Sequence, residues 1–501
     1  MKKILINHNP WQTRIALTRD ELLQNVYFES CIVKSLERSF FKGHITKVLP
    51  GIQTAFVDIN QPKAGFLHIS EIDRELALDR MDAEIAVEAE DRPRKRYTPL
   101  DIAKILHEGE PILVQVSKEP IYEKGAKLST CFTLPGRFIV LMPNIPRIGI
   151  SKKIDDLEER ARLKRIVGDN LPEGMGAIIR TSADECREPD IIKDMAFLIH
   201  TWRSIIKKYD KAELKEKIHE DLEGSFQVVR DHLDDDVDIV IVDNQALQQR
   251  LYKFAKGIAP EHAHKIQYYE GTTPLFEKYD IESQIEAALD KKVLLKSGGS
   301  LIVESTEAMT VVDVNTGRFT GKTNLEDTVL KTNMEAAEEV VRQLRLRNIG
   351  GLIVIDFIDM SDPGNRKKLF RFLEKMLKER DRFQSVVLKL SEFGLVQMTR
   401  KRSGKTLVQQ MTQSCSFCRG VGFVRSVSTE GYMALRAIKE ALRLKNDTEI
   451  AIISVSPEIF HYLTSHEYNS ILELEKEYGH PIALHSKDSL DLGTYKIEWS
   501  K

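Results

Sequence analysis

No stretch of this 501-residue sequence stays apolar over the roughly 20 residues that a membrane-spanning helix needs. The first residues also lack the apolar core of a secretory signal and the Ser- and Arg-rich composition of a transit peptide. Hydrophobic residues still make up 42% of the chain, which is enough for several buried cores at this length. We therefore expect a multidomain globular protein that works in the cytoplasm and has no membrane segment.

Cysteine is scarce, and three of the five cysteines are isolated in the sequence, which does not suggest a disulfide framework. Only Cys415 and Cys418 form a pair by spacing, within C-S-F-C-R-G-V-G. Two cysteines at this spacing, followed by glycine turns, are half of a tetrahedral zinc site, which two chains could complete by contributing one pair each. A redox pair is the competing interpretation. It is less favoured because no thioredoxin-like strand precedes the pair.

Neither sign of charge is in excess, since 74 basic and 76 acidic residues give a net charge of -2. This balance does not indicate a nucleic-acid-binding protein by itself. However, 30% charged residues leave room for local basic surfaces. The compact basic cluster M-T-R-K-R, from Met398 to Arg402, is either a solvated face or a surface for an anionic polymer.

Two short apolar runs end in acids, T-V-V-D-V-N at Asp313 and G-G-L-I-V-I-D at Asp356. Both runs are typical of buried strands, and apolar residues recur at helical spacing between them, from 325 to 347. A strand, a helix and a strand form a right-handed unit with parallel strands, so both acids should lie at one edge of one sheet.

Side chains alternate along a strand, so Asp313 and Asn315 should share a face. Two acids and an amide, with no nearby histidine or cysteine, are the all-oxygen ligand set that magnesium or manganese prefers. Taken singly, each acid could instead form a turn or cap a helix. The pattern alone therefore leaves both a hard-metal site and a structural role open.

Short strands, glycine turns and interleaved Lys and aromatic residues follow Ser39 and favour a small closed barrel of the OB type. Phe56 and Phe66 lie where bases could stack, and Lys118 and Lys124 where phosphates could bind. Both rings could equally belong to the barrel core. The charged insertion from 74 to 106 carries no assigned chemistry.

A later strand, G-M-G-A-I-I, ends in Arg180 and Thr181. A guanidinium and a hydroxyl at a strand end can hold a terminal phosphate, because the guanidinium fork reaches two oxygens and the hydroxyl a third. The pair alone is a weak indication. The strands of residues 1–36 cannot form a domain by themselves, and the run D-I-V-I-V-D-N resumes strand-and-helix alternation much later.

Taken together, these segments resemble the ribonuclease E and ribonuclease G endoribonucleases. The resemblance covers about residues 1–425, from K-G-H-I-T-K-V-L-P-G-I-Q-T-A-F-V-D-I through I-I-R-T and E-A-M-T-V-V-D-V-N-T-G to R-Q-L-R-L-R-N-I-G-G-L-I-V-I-D-F-I-D-M and C-S-F-C-R-G-V-G. The length, without a disordered C-terminal scaffold, is more similar to the ribonuclease G branch.

This resemblance implies a multidomain α/β and β fold. An OB-type RNA-binding barrel would be inserted in an RNase H-like subdomain and followed by a DNase I-like α/β catalytic subdomain, a zinc link and a small α/β domain. The expected boundaries are 1–36 with 226–288 for the RNase H-like subdomain, 37–130 for the barrel, 131–225 for a 5′-phosphate sensor, 289–411 for the catalytic subdomain, 412–424 for the zinc link and 425–501 for the C-terminal domain.

The resemblance also implies roles for individual residues. Asp313 and Asp356 match the ligands of the catalytic magnesium, and Asn315 matches a residue that supports the reacting groups. The RNA anchors of the family match Phe56, Phe66, Lys118 and Lys124, and its 5′-monophosphate pocket matches Arg180, Thr181 and the backbone at Val140. Cys415 and Cys418 match a zinc site shared between chains.

The expected function is that of a magnesium-dependent endoribonuclease in rRNA processing and mRNA decay. It would cleave single-stranded, A/U-rich RNA to 5′-phosphate and 3′-hydroxyl ends and would be stimulated by a 5′-monophosphate. Expected partners are single-stranded RNA and a second copy of the chain, joined through zinc, with a homotetramer left open. The alternatives are a non-catalytic RNA-binding protein and a metal phosphoesterase that acts on DNA or small nucleotides.

Overall fold

The computed structural model describes residues 1–32, 34–73, 101–120, 125–316, 325–389, 391, 394–402, 404–444 and 449–500. The chain divides into two compact units, Met1–Gln410 and Met411–Lys501. Among the described residues, the first unit holds four β-sheets and the second holds one. None of the helices in these ranges is both long and apolar enough to cross a membrane.

A five-stranded sheet joins the N-terminus to a strand pair from the middle of the chain. Its strands are β1 (Lys2–His8), β2 (Gln12–Arg19), β3 (Leu22–Ser30), β14 (Val237–Val242) and β15 (Ile266–Tyr268), in the order β15-β14-β1-β2-β3. Strand β1 pairs antiparallel with β2 and parallel with β14. The prediction that the N-terminal strands are completed by strands near Val237 is therefore confirmed.

Helices cover both faces of this sheet. They are α4 (Gly224–His232), α5 (Gln245–Ile258), α6 (Leu275–Lys278) and α7 (Ile281–Ala287). Because side chains alternate along β1, Ile4 and Ile6 pack with α4 and α5, whereas Leu5 packs with α6 and α7. The continuous apolar run of β1 is explained by this burial on both sides.

A small closed barrel follows the first three strands. Its strands are β4 (Phe40–Leu49), β5 (Thr54–Asp58), β6 (Gly65–His68), β7 (Pro111–Lys118) and β8 (Lys127–Ser129), and β13 (Lys217–His219) adds to β4 from outside. The order β4-β5-β6-β8-β7 closes because β7 also pairs with β4. The predicted small closed barrel is present, and it has five strands. The short helix α1 (Ile102–Ile105) packs against its core, and most of the 74–106 insertion lies outside the described residues.

A four-stranded sheet comes next, with strands β9 (Leu134–Pro135), β10 (Ile139–Met142), β11 (Ile148–Ile150) and β12 (Gly176–Ile179) in the order β11-β12-β10-β9. Its core includes residues of α2 (Leu157–Asn170) and α3 (Glu188–Lys211). The ring of Phe132 lies 5.6 Å from Phe40 of β4 and 5.3 Å from Trp202 of α3, centroid to centroid. This aromatic cluster packs the sheet against the barrel.

The last sheet of the first unit carries the two acid-terminated strands. Its strands are β16 (Lys292–Leu294), β17 (Ser300–Ser305), β18 (Met309–Asn315), β19 (Gly351–Asp356), β20 (Ser385–Val387) and β21 (Leu395–Arg400), in the order β16-β17-β18-β19-β21-β20. Its core contains side chains of α8 (Leu325–Leu346) and α9 (Pro363–Arg380), and α10 (Leu407–Met411) follows. Strands β18 and β19 are parallel, as the strand-helix-strand pattern predicts.

The glycine at the start of β19 is required by its surroundings. Gly351 has a φ of +99°, and a Cβ atom there would lie 2.6 Å from Nε of Arg402. Residues other than glycine are strained at this φ, and their Cβ atom would also displace the Arg402 side chain. The Gly-Gly pair at 350–351 therefore both ends the connection from α8 and allows the chain to enter the buried strand.

The second unit is a small α/β fold. Its strands are β22 (Ile450–Val455), β23 (Ile482–Ser486) and β24 (Tyr495–Ser500), in the order β23-β22-β24, and its helices are α11 (Val427–Arg443), α12 (Pro457–His466) and α13 (Tyr468–Tyr478). Strand β22 is parallel to β23 and antiparallel to β24. The small α/β domain expected at the C-terminus is present, while the individual domain boundaries stay predictions.

Candidate active site and nucleic-acid interface

The two predicted acids lie directly opposite each other. Asp313 of β18 and Asp356 of β19 are register partners in the parallel pair. Both are exposed, whereas Val312 and Ile355, which precede them, are buried. Because neighbouring strands run about 4.8 Å apart, paired side chains on one face are close enough to act on one ligand. The prediction that the two strands run parallel and bring both acids to the same edge of one sheet is confirmed.

Asn315 belongs to the same group. Its Nδ2 donates a hydrogen bond of 2.8 Å to Oδ2 of Asp313. This contact follows from the two-residue period of the strand, which the sequence already indicated. We call Asp313, Asn315 and Asp356 the carboxylate edge.

Electrostatics at this edge favour a cation. Burial raises the pKa of Asp356, and the negative charges of Asp313 and Asp359 raise it further. Like charges at this spacing destabilise each other's ionised form, and a bound cation removes that cost. Asp359 therefore contributes to the electrostatic field around Asp356.

The donor set of the carboxylate edge fits magnesium or manganese, because all its donors are oxygens apart from one amide nitrogen that already bonds Asp313. Among the residues that the structure describes, no three His, Cys, Asp or Glu side chains come together as a metal-binding group. The edge therefore supplies only part of a ligand set. Magnesium commonly keeps several waters and binds substrate phosphates as well, so a partial set suits this ion.

A buried asparagine that the sequence analysis missed holds the backbone next to the carboxylate edge. Asn333 of α8 is fully buried, its Nδ2 donates to the carbonyl of Ile358 at 2.8 Å, and its Oδ1 accepts from the N–H of Ile358 at 3.0 Å. Both backbone groups of Ile358 are thereby satisfied, which fixes the chain just after Asp356. The available signal was a polar residue beside the apolar stripe of a predicted helix.

The aromatic residues of the barrel lie outside its core. Phe56 and Phe66 are register partners on β5 and β6 and are half-buried, while Ala55, Val57 and Leu67 point into the core. The interpretation that both rings are core residues is therefore wrong. They form an outward-facing pair that can stack on bases.

Three lysines extend this pair into a continuous row across the strands. Lys47 pairs with Phe56, Phe66 pairs with Lys127, and Lys127 pairs with Lys118. We call Lys47, Phe56, Phe66, Lys127 and Lys118 the barrel row. Sequence reasoning found three of its members and missed Lys47 and Lys127, which only strand register identifies.

The lysines of the barrel row differ in exposure and in whether the ammonium group pairs with an acid. Lys47 and Lys118 are exposed, whereas the ammonium of Lys127 forms an ion pair with Glu71. Lys47 and Lys118 are therefore the better candidates for phosphate contacts. The fourth predicted anchor, Lys124, lies outside the described residues.

The residues of the predicted phosphate pocket come together in the four-stranded sheet. Arg180 follows β12, its N–H donates to the carbonyl of Phe138 at 2.8 Å, and Val140 continues from Phe138 along β10. Thr181 is exposed, and its hydroxyl lies 2.9 Å from that of Ser151. The structure thus places Arg180 and Thr181 directly after β12, beside the strand β10 that contains Val140, and the role of these residues stays a prediction.

Arg180 also has an acidic partner that the sequence analysis missed. Its Nη1 pairs with Oδ1 of Asp231 at 2.8 Å. Burial raises the pKa of Asp231, but the guanidinium groups of Arg230 and Arg180 outweigh this effect and hold the pKa well below its usual range. No local pattern could identify Asp231, because the fold brings α4 to the end of β12.

The basic cluster at 398–402 is divided between structural and exposed positions. Arg400 is buried and donates to both carboxylate oxygens of Asp381, at 2.6 and 3.0 Å, and to the carbonyl of Ile349. Lys401 and Arg402 are exposed. Arg400 therefore stabilises the sheet, and only the end of the cluster could meet a polyanion.

The cysteine pair lies in a segment of turns at the start of the second unit. Backbone N–H groups of Gly422 and Gly420 hydrogen-bond to Cys418 and lower the pKa of its thiol, and the side chain of Cys415 adds to this effect. Both glycines have a positive φ, +86° and +87°, which favours glycine there. The thiolate form is the metal ligand, so this turn suits half of a zinc site.

Comparison with known proteins shows which family this chain is similar to. The family model described as "Ribonuclease E/G family" matches residues 133–403, and the model described as "RNase E/G, Thioredoxin-like domain" matches residues 414–500. Ribonuclease G of Escherichia coli K12 is 37% identical over 475 residues, covering 94% of each chain. Ribonuclease G of Haemophilus influenzae is 36% identical over 94% of this chain and 93% of its own. Ribonuclease E of Escherichia coli K12 is 35% identical over 95% of this chain and 44% of its own.

The chain therefore belongs to the ribonuclease E/G family. Within that family it matches ribonuclease G along nearly the whole length of both chains, so the predicted ribonuclease G branch is confirmed. The prediction that the chain is an endoribonuclease is confirmed by the same relatives.

Proposed function

We propose that this chain is a magnesium-dependent endoribonuclease that cleaves single-stranded, A/U-rich RNA and leaves 5′-phosphate and 3′-hydroxyl ends. The observation that carries the proposal is the register pairing of Asp313 with Asp356 on an exposed sheet edge. The relatives named ribonucleases supply the substrate class. In the cell this activity would serve rRNA processing and mRNA decay.

Asp313 and Asp356 would hold the magnesium ion, and the rest of the site keeps them in place. When bound, magnesium would polarise the phosphoryl oxygens and help water to attack in line. Asn315 donates to Oδ2 of Asp313, and Oδ1, which no other described residue bonds, would be left for a ligand. Asn333 fixes the backbone beyond Asp356 through Ile358. The attacking group is water, so the mechanism needs no nucleophilic side chain.

RNA would be held by the barrel row. Phe56 and Phe66 present aromatic faces, and an unpaired base can stack on such a face without regard to its sequence. Lys47 and Lys118 are exposed on the same row and can meet backbone phosphates. Single strands are favoured because the bases of a duplex already stack on each other.

Arg180, Thr181 and the backbone at Val140 would bind a 5′-monophosphate and so stimulate cleavage elsewhere on the RNA. Arg180 is partly exposed, and the hydroxyl of Thr181 lies beside it at the end of β12. A guanidinium fork and a hydroxyl match three oxygens of a terminal phosphate.

One experiment tests the metal and the phosphate pocket together. Cleavage of a single A/U-rich oligonucleotide is measured with a 5′-phosphate or a 5′-hydroxyl, each with magnesium and with chelator, and the same sequence is offered as DNA. We expect cleavage only with the metal, only of RNA, and faster with the 5′-phosphate. Equal cleavage in chelator would exclude the metal role. Equal rates on both 5′ ends would exclude the pocket, and cleavage of DNA would favour a general phosphoesterase.

Cys415 and Cys418 would share a zinc ion with the same pair of a second copy and so join a homodimer. The described residues of one chain offer only these two adjacent thiols, so a tetrahedral site needs two chains. Cys415→Ser with Cys418→Ser should weaken the dimer and remove zinc, measured by native mass spectrometry. Cys31→Ser is the matched control, since Cys31 lies outside this segment. A zinc-free wild-type dimer would contradict the proposal.

A further inference from the structure

We propose that Asp231 is a positioning residue of the phosphate pocket, which holds one nitrogen of the Arg180 guanidinium so that its opposite edge can receive a terminal phosphate. This inference rests on the proposed binding of a 5′-monophosphate at Arg180. It adds to that pocket an acid from a different subdomain, one that would not touch the phosphate itself.

The contacts of Arg180 are one-sided. Its Nη1 donates to Oδ1 of Asp231 at 2.8 Å and to the carbonyl of Gly136. Within the described ranges, its Nε and Nη2 have no protein partner. These two nitrogens form the side of the guanidinium that binds two oxygens at once. The protein therefore holds Nη1 of the guanidinium and leaves the edge formed by Nε and Nη2 open to a ligand.

Asp231 is itself held firmly enough to orient another residue. Arg230 donates to both of its carboxylate oxygens, at 2.9 and 3.3 Å, and Arg382 donates to its carbonyl at 2.8 Å. Because Arg230 also donates to the carbonyl of Pro135, the network reaches the turn that precedes β10. With its lowered pKa, Asp231 stays ionised across the working pH range.

The carbonyl of Gly136, the second group that Arg180 contacts, is also held in a fixed position by its surroundings. The carboxylate of Asp194 accepts from three successive backbone N–H groups, those of Arg137, Phe138 and Ile139. A Cβ atom on Gly136 would lie 2.4 Å from Oδ2 of Asp194, so only glycine fits here. The Gly136 carbonyl that accepts from Arg180 thus belongs to a tightly packed turn.

Asp231 does not cancel the attraction of the pocket for phosphate. Three guanidinium groups, those of Arg180, Arg230 and Arg382, lie around the two carboxylates of Asp231 and Asp194, so positive charge remains in surplus. The carboxylate of Asp231 limits the rotation of Arg180 before a ligand arrives. Less conformational entropy is then lost when the phosphate binds.

The test is a double-mutant cycle read on two substrates. For Asp231→Asn, Arg180→Gln and the double variant, kcat/KM is measured on one oligonucleotide with a 5′-phosphate and with a 5′-hydroxyl. The ratio of the two values is internal to each preparation, so partial unfolding cancels. We expect about a tenfold loss of this ratio in either single variant, the size of one charged hydrogen bond, and no further loss in the double variant.

Asp243→Asn is the matched control. Asp243 is a half-buried acid that bonds Asn7 and the backbone of His8, away from Arg180, and its variant should keep the wild-type ratio. Asp231→Glu is a second variant, which retains the charge one methylene away and should lose part of the ratio.

Each outcome decides the proposal. If Arg180→Gln removes the 5′-phosphate preference while Asp231→Asn and Asp231→Glu keep it, the role of Asp231 is wrong and the pocket stands. If wild-type shows no preference, or Arg180→Gln retains it, the pocket is wrong and the role of Asp231 falls with it. Additive losses in the double variant would also overturn positioning, because Asp231 would then act without Arg180.

Discussion

The carboxylate edge and the barrel row are built in the same way and have opposite character. Each arises from side chains that strand register brings side by side, Asp313 with Asp356 in one sheet and Phe56 with Phe66 in the other. The edge gathers negative charge, whereas the row joins aromatic faces to lysines. An RNA strand is attracted to the row and repelled by the edge until a cation offsets the acids. If the two sites have the proposed roles, binding and cleavage of RNA should therefore be separable by mutation.

The largest expected effect tests the edge. Asp313→Asn or Asp356→Asn should slow cleavage about 10²–10³-fold, because each would remove one of the two charges proposed to hold the metal at the reacting phosphate. Binding of RNA to the barrel row should be kept. Single-turnover cleavage and fluorescence anisotropy with the same oligonucleotide measure the two quantities.

Asp359→Asn is the control for this prediction, since Asp359 affects Asp356 only through its charge. We expect less than about a tenfold change in rate, the usual scale of one neighbouring charge. If both Asp313→Asn and Asp356→Asn cleaved at near wild-type rates, the chain would bind RNA without using this edge for catalysis.

The next effect tests how the edge is supported. Asn333→Leu leaves the N–H and the carbonyl of Ile358 without their partners, so the free energy of unfolding should fall by about 2–4 kcal/mol. Urea denaturation followed by circular dichroism measures this change. The control is Thr332→Val, which should cost under about 1 kcal/mol because the Thr332 hydroxyl bonds the carbonyl of Thr328 in its own helix. Equal losses in the two variants would show that Asn333 has no special role.

A smaller effect tests the row. Phe56→Ala with Phe66→Ala should weaken binding of single-stranded RNA by about 1–3 kcal/mol for each base that stacks. Titration by anisotropy, in chelator so that the RNA stays intact, measures the affinity. Phe197→Ala is the control, because Phe197 is an exposed aromatic residue on α3, outside the barrel. Unchanged affinity in the double variant would place the RNA elsewhere.

The smallest effect separates charge from stacking within the row. Lys47→Ala should lower the slope of log affinity against log salt by about 1, the value for one phosphate contact. Lys127→Ala is the comparison, and since Lys127 already pairs with Glu71 its effect on the slope should be smaller. A larger effect of Lys127 would mean that RNA displaces Glu71.

Much of the sheet that carries Asp313 and Asp356 was predictable because its signals are local. The helix expected over 325–347 spans Leu325–Leu346, and the run ending at Asp356 is a strand with the expected bounds. Handedness and parallel pairing then leave only one edge for both acids. Asn315 follows for the same reason, because it lies two residues from Asp313.

Other parts of the site could not be predicted, because they depend on pairing between distant segments. Nothing near Lys47 indicates that it would align with Phe56, and nothing near Asp231 indicates that it would contact Arg180. For the same reason, the sequence could not decide whether Phe56 and Phe66 lie in the barrel core or on its surface. Which face of a strand points outward depends on how the barrel closes.

The sequence alone determined the strand-helix-strand unit, the acids at its strand ends, the cysteine pair and the membership of a family, because each depends on periodicity or motif within a short stretch. Only the tertiary structure decided that Asp356 faces Asp313 in register, that two phenylalanines and three lysines form one row, and that Asp231 holds Arg180. Strand register and packing between subdomains are set by long-range contacts, which short stretches do not encode.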